Sequence, residues 1–547
     1  MSLLTRSRSL SILLVLACFA AVPVACSTGT TSSGAPSSAT PPAAESKPTV
    51  RLYLLSNVAG ALEPCGCSKD QLGGASHFAN LLANEKEEAS AQLVLGAGPL
   101  FFQDPKSTPD KATQDQWKAE ALAEGAARLG VIAWTPGAND FAAGGPFFKK
   151  LAERSKGAFV AANAPADSAL TKSRITEIGG VKVGITGVVD PKVSSATGLA
   201  LTSPVEALKA EIATLKSQGA RLIITLAALP RGEALRLTDA ISDIDLLLIG
   251  KPTEKGDLND APRAPVLAGS TLVVEVSNHL QTVARVDLHL REEAGSTGDI
   301  ALVDGGGLAR AEQLLGLNTQ IRELEHRING WEESKSVRAD DVAARKKDLE
   351  RLRTERATLE SASTPTPSGS YFKYSLVEVR DKLGKEPGLE EVTLGYYKRV
   401  NDHNRDHFKG RTPPPAEDGP SYIGVDRCST CHAEERAVWD KTGHAKAYPT
   451  LEKKFVEFNL DCVSCHVTGY EKPGGSTVTF VETLKNVQCE TCHGPGSKHA
   501  EEPKNKQFIT LKPEPRSCVS ECHHPPHVEG FDPVAKMTSI LGPGHGL

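Results

Sequence analysis

Three copies of one five-residue pattern constrain this chain more than any other feature: Cys428-Ser-Thr-Cys431-His432, Cys462-Val-Ser-Cys465-His466 and Cys489-Glu-Thr-Cys492-His493. An expanded version, Cys518-Val-Ser-Glu-Cys522-His523, follows them. Two thiols at this spacing can bond the vinyl-derived carbons on one edge of a haem while the adjacent histidine reaches the iron. Zinc ligation does not explain a histidine directly after the second cysteine every time, and redox dithiols need none there. From about residue 420 onward the chain has few long apolar periods but many cysteines, histidines, glycines and prolines. Four covalently attached c-type haems would supply the interior that side chains do not.

On this reading the attachment residues are Cys428, Cys431, Cys462, Cys465, Cys489, Cys492, Cys518 and Cys522, and the proximal iron ligands are His432, His466, His493 and His523. The main candidates for distal ligands are His444, His499 and His545, with His403, His407 and His527 as lesser ones. The alternative for each is a surface histidine or a propionate partner. Iron held by two histidines moves one electron at a time, whereas an open iron can bind a small molecule.

The stretches "YIGVDRCSTCH", "WDKTGHAKAYPTL", "DCVSCHVTGY" and "LKNVQCETCHGPGSKH", with the terminal Cys-His unit, span 421–546. They resemble the multihaem family related to the tetrahaem cytochrome of the ammonia-oxidation electron chain. The resemblance implies electron transfer between redox proteins, proximal roles for the four histidines above, and distal roles for His444 and His499. The expanded Cys518 to Cys522 spacing departs from the simpler pattern.

A chain of 547 residues exceeds one ordinary core, so several domains are expected. From 49 to 295, short apolar runs such as "VRLYLLS", "AQLVLGA", "VIAWTPG", "AFVAAN", "VKVGITG", "RLIITLA", "DLLLIG" and "TLVVEVS" alternate with helical periods, predicting an α/β layered domain. The stretches "YLLSNVAGALEPCGCSKDQLGGASHFANLL", "LVLGAG", "PGANDFAAG", "VKVGITGVV" and "DIDLLLIGKP" make it resemble the calcineurin-like metallophosphatase domain of the 5'-nucleotidase family. Dinuclear phosphoester hydrolysis needs oxygen and imidazole donors around two cations. Where that family carries its ligands, this chain has Ser56-Asn57-Val58, Gly96-Ala97-Gly98, Ala138-Asn139-Asp140, Leu226-Ala227-Ala228 and Gly250-Lys251. Phosphatase activity is therefore not expected, and Asn139 and Asp140 read as a capped loop. Cys65 and Cys67 remain unassigned between structural or redox-sensitive thiols, a metal site, and contact with a haem or partner.

Residues 306–361 read as long charged helices. Leu317, Ile321, Leu324, Ile328 and Trp331 share one seam, and Val342, Leu349, Leu352 and Leu359 lie on a second helix, giving a helical hairpin or a dimerising coiled coil. The connecting segment 370–418 reads as paired short strands, "YFKYSLVEVR" and "VTLGYYKRV", before the tetrahaem domain at 419–547. Residues 1–25 have the pattern of an export signal, with lipidation expected at Cys26, and 26–48 that of a flexible tether. This predicts export from a bacterial cytoplasm and a periplasmic or outer-membrane lipoprotein anchored in the membrane. The formal charge of -5 offers no basic face for nucleic acid.

The leading expectation is a multihaem electron carrier whose partners are redox proteins or other cytochromes, with a homo-oligomer open. The alternatives are a multihaem oxidoreductase acting on a small inorganic nitrogen compound, and a haem-containing binding or scaffold protein.

Overall fold

The computed structural model describes the chain from Ser46, apart from residues 65–70, 257, 292–297, 335–336, 363, 525–526, 529–530, 538, 543–544 and 546–547. The expected leader, Cys26, Cys65 and Cys67 lie outside the described residues. Lys47–Leu547 form one compact unit.

Thirteen strands are described: β1 Val50–Ser56, β2 Gln92–Ala97, β3 Val131–Thr135, β4 Ala158–Phe159, β5 Ser173–Ile178, β6 Val181–Val189, β7 Leu222–Ala228, β8 Leu246–Gly250, β9 Val266–Ala268, β10 Thr271–Val274, β11 Thr282–His289, β12 Val303–Asp304 and β13 Tyr371–Glu378. They form a seven-stranded sheet ordered β12-β13-β11-β1-β2-β3-β4 and a six-stranded sheet ordered β5-β6-β7-β8-β10-β9. The centre of each sheet is parallel, and antiparallel pairs such as β1 with β11 and β5 with β6 extend it.

Strand alternation sets the layers. Val50, Leu52 and Leu54 of β1 point into a core shared with Val181, Val183 and Ile185 of β6 and Leu222, Ile224 and Leu226 of β7, so the two sheets face each other. Tyr53 and Leu55 point the other way, into a core that includes Leu122 and Ala126 of helix α1 (Ala112–Arg128). Leu208, Ile212 and Leu237, from two further helices, cover the outer face of the second sheet. The α/β layered expectation thus resolves into helices outside two stacked sheets.

Helices α2 (Leu308–Ser334) and α3 (Ala339–Ser361) pack on each other through Leu317, Ile321, Leu324, Ile328, Val342, Leu349 and Leu352. The apolar seam is satisfied within the chain, as a hairpin.

Two boundaries differ from the sequence reading. "YFKYSLVEVR" does form a strand, β13, but it pairs with β11 over eight residues and belongs to the first sheet, so the hairpin is an insertion within the α/β domain. "VTLGYYKRV" is not a strand. It lies in helix α4 (Pro387–His407), whose Leu389, Tyr396 and Val400 pack on the outer face of the first sheet. Glu386 caps α4 by accepting from the backbone N–H groups of Gly388 and Leu389.

At the C-terminal ends of the strands, polar groups are spent on the chain itself. Asn57 Oδ1 accepts from Lys251 N at 2.7 Å. The Trp134 ring lies against Gly96, where a Cβ would fall 1.9 Å away, and its Nε1 donates to the Gly98 carbonyl. Asn139 donates to the carbonyls of Phe102, Gln103 and Glu254 and accepts from Glu254 N. Asp140 accepts from the backbone N–H groups of Leu100, Phe101 and Gly137. Burial pushes its carboxyl up to about 7, against those three donors, which favour the anion. Asn139 and Asp140 are loop brackets, as the capped-loop reading expects. Lys251 is paired with Glu254 and Asp260 beside them.

Two outcomes follow from this packing. Ile321→Ala should cost about 2–5 kcal/mol by leaving a cavity in the hairpin seam, read as faster hydrogen exchange across α2 and α3 with the sheets still protected. Asn139→Ala leaves three carbonyls and one N–H without their partner and should lower stability by about 2–4 kcal/mol in denaturant titration.

Candidate haem-binding site

The eight C-terminal cysteines lie on or beside short helices: Val425–Ser429, Val463–His466, Cys489–His493 and Arg516–Glu521. None of these is long enough to stand alone. Apolar packing around them is sparse, with one cluster of Tyr448, Val463, Val467 and Val481.

Buried polar side chains do the positioning. Glu490, inside the third motif, accepts from the backbone N–H groups of Ile423, Gly424 and Gly496. It joins the segment entering the first motif to the segment that carries His499. Gln488 Oε1 accepts from Val425 N, and its Nε2 donates to the carbonyls of Thr483 and Lys485. Gly424 has φ 81°, and a Cβ there would meet the Thr483 carbonyl oxygen at 2.6 Å. Asn486 Oδ1 accepts from Tyr448 N, and its own N–H donates to the His466 carbonyl. Sequence reading missed these residues, because a carboxylate or amide between two cysteines carries no mark of where it folds.

Three pairs of imidazoles come together in this region, their ring planes tilted by 34° to 48°. Ring centroids are 6.5 Å apart for His432 and His499, 6.2 Å for His444 and His523, and 6.2 Å for His493 and His545. An ion bound at about 2 Å to a nitrogen of each of two opposed imidazoles holds their centroids roughly 6 Å apart, so the three pairs fit an intervening iron. Each pair joins an expected proximal histidine to an expected distal one. The lesser candidates are placed differently: His403 stacks on His407 at 5.2 Å and meets the Trp117 edge, while His527 lies edge-on to His524.

Among the described residues, which include all fifteen histidines, no second imidazole ring stands opposite His466. Its Nδ1 lies 2.7 Å from the Ala447 carbonyl, and His493 Nδ1 lies 2.6 Å from the Thr510 carbonyl. A carbonyl only accepts, so Nδ1 carries the proton and Nε2 keeps a lone pair for a metal. Burial lowers the proton affinity of His444 and His466. Burial together with nearby His444 and His524 holds His523 down to about 4. All three imidazoles are therefore neutral near pH 7, as ligation requires.

The cysteine sulfurs also adjoin one another across motifs. Cys428 is within hydrogen-bond reach of Cys489, and Cys465 of Cys522, while Cys492 neighbours Cys518. In space the attachment segments run from Cys428 to Cys489 and Cys492, then to Cys518 and Cys522, then to Cys465 and Cys462. That order differs from their order along the chain.

A family described as cytochrome c554 and c-prime matches residues 427–494. Cytochrome c-554 of Nitrosomonas europaea is 36% identical over 98 residues, covering 15% of this chain and 41% of that protein. The chain thus spans less than half the length of this curated relative. Among solved structures, a 5'-nucleotidase precursor from Thermus thermophilus is similar at 16% identity and TM-score 0.44, over 64% of this chain and 59% of that one. The calcineurin-like phosphoesterase YfkN from Bacillus subtilis is similar at 19% identity and TM-score 0.37, over 45% of this chain and 86% of that one. The likeness to a c-type cytochrome supports haem binding in general. The chain joins a C-terminal cytochrome c554-like segment to an N-terminal α/β domain built on two sheets.

Proposed function

We propose that this chain is an extracytoplasmic electron-transfer protein carrying four covalently attached c-type haems and exchanging electrons with other redox proteins. The observation that carries the reading is the set of three opposed imidazole pairs, each anchored on one Cys-His motif. Haem iron supplies one-electron redox chemistry at each site. The residues proposed to hold it are Cys428, Cys431, His432 and His499 at the first site, and Cys489, Cys492, His493 and His545 at the second in space. Cys518, Cys522, His523 and His444 form the third, and Cys462, Cys465 and His466 the fourth. The backbone carbonyls at Nδ1 of His466 and His493 orient the rings and leave Nε2 as the nitrogen that would hold iron. The α/β domain is read as inactive in phosphoester hydrolysis, its strand ends closed by Asn57, Asn139 and Asp140.

A second reading is supported at one site only. Among the described residues no imidazole pairs with His466, so a haem held there would have a coordination position at which a small inorganic nitrogen compound could be reduced or oxidised. The carrier and oxidoreductase readings share the same four sites and differ in what this position does.

Electron paramagnetic resonance of the fully loaded protein during a redox titration tests both. Three low-spin signals from paired histidines and one high-spin signal that responds to added small ligands are expected. Four low-spin signals would remove the open site and with it the oxidoreductase reading. Rapid electron exchange without small-molecule turnover supports the carrier. His499→Ala should convert one low-spin signal to high-spin while the mass still corresponds to four attached haems; an unchanged spectrum would overturn the His432 and His499 assignment.

A further inference from the structure

We propose that the α/β domain sets the reduction potential of the haem site at Cys462, Cys465 and His466 through a charge cluster shared between helix α1 and Asp461. The inference rests on the proposed attachment of a haem at these residues. It gives the α/β domain a task that phosphoester chemistry does not.

Lys111 Nζ lies 2.6 Å from Asp461 Oδ1, and Lys118 Nζ lies 3.2 Å from Asp461 Oδ2. Each carboxylate oxygen therefore holds one ammonium. Lys111, at the N-cap of α1, and Asp115 and Lys118 within it recur at steps of four and three and so share one face, and Asp115 interacts with both lysines and with Asp461. The cluster holds two positive and two negative charges. Its lysine and Asp461 side chains are only 22–33% exposed, so salt screens them weakly.

The backbone around Asp461 is held by the same domain. Gln114 Oε1 accepts from Leu460 N and from Asn404 Nδ2. Asn404 also donates to the Phe458 carbonyl, and Phe458 N donates to Asn401 Oδ1. Residues 458–461 are thus pinned by α1 and α4 immediately before Cys462, whose sulfur is the proposed covalent link to the haem. The buried Tyr396 hydroxyl, which has no hydrogen-bond partner among the described residues, sits among Lys118, Asp115, Asp461 and Cys462. No other attachment motif is preceded by an ionised residue held in this way by the α/β domain among the described contacts.

The sign of the effect follows from charge. Reduction adds one electron to ferric iron, giving ferrous iron and lowering the charge of the site by one. A surplus of positive charge nearby favours the ferrous state and raises the potential, and a surplus of negative charge lowers it. Asp461→Asn removes a negative charge and leaves two ammoniums against Asp115. Lys118→Gln removes a positive charge and leaves two carboxylates against Lys111. The two variants push the same site in opposite directions. A unit charge at about 10 Å and an effective dielectric near 20 changes the ferric-to-ferrous ratio at fixed potential roughly tenfold.

Loosening of the junction would act differently, since either substitution weakens the same contact and both would move the site the same way. Lys118→Arg, which keeps the charge, serves as the conservative control.

The test is a spectroelectrochemical titration of the full-length, haem-loaded protein and these three variants, with haem content measured by mass. The expected result is one step of four that rises in Asp461→Asn, falls in Lys118→Gln and stays near its original position in Lys118→Arg. Four attached haems with shifts in the same direction, or with no shift, would overturn the inference while leaving the four-haem reading intact. Three attached haems in the unaltered protein would instead overturn the reading on which the inference rests. If Lys118→Gln fails to fold, Lys111→Gln provides the same loss of charge on the other oxygen.

Discussion

The buried carboxylate of Glu490 illustrates the constraint on which the C-terminal region depends: imidazoles must be held a fixed distance apart by a chain with little apolar core. Glu490 gathers three backbone N–H groups from two segments distant in sequence. Such a buried anion is tolerated only because it is fully hydrogen-bonded, and the same bonds make it specific. His432 follows one of those segments and His499 the other, so their 6.5 Å separation is a consequence of that network. Gln488 and Asn486 extend it toward the His466 carbonyl and Tyr448. In this region polar locks take the place that side-chain interdigitation takes in the α/β domain.

The α/β domain shows the opposite economy of parts. Two sheets bury large branched and aromatic side chains between and outside them, and the strand ends, where open α/β architectures place their ligands, are closed by backbone and amide contacts. The Gly96 position is given over to the Trp134 ring, and Lys251 lies in a pocket of carboxylates. What remains useful on this domain is its outer surface. Helices α1 and α4 lie on the face that meets residues 458–461, and their polar residues are matched to that backbone atom by atom.

Much of this was legible in the sequence where the signal was local. The runs from "VRLYLLS" to "TLVVEVS" each contain a strand, because a short apolar run buried on both faces is legible without tertiary knowledge. The Cys-His motifs name their own attachment chemistry. Misreading "VTLGYYKRV" as a strand came from its β-branched and aromatic residues, although Leu389, Thr393, Tyr396 and Val400 already follow helical steps of four, three and four. The return of β13 to the first sheet could not be read, since a hairpin of more than fifty residues separates it from β12 and nothing local records its partner. Distal pairing was hidden for the same reason: His499 is six residues from His493, yet its ring faces His432.

The spatial order of the motifs gives these parts a common direction. On the proposed reading, the Cys428 and Cys431 site is the open end of the series: Cys431 is exposed and the His432 side chain is 53% exposed, which suits exchange with another protein. The Cys462 and Cys465 site is the other end, and it abuts the α/β domain through Asp461. Among the described residues it is also the one whose histidine has no imidazole opposite. On that reading, a terminal site covered on one side and clamped at its entry differs from the three before it in environment as well as in its histidine partners. Burial and nearby charge are the means by which a protein sets haem potentials, so on that reading these differences would separate the last site energetically from the others. On that reading the fusion of a closed α/β domain to a cytochrome-like segment has a physical rationale, because the domain supplies the charged wall that the small apolar core of the C-terminal region cannot.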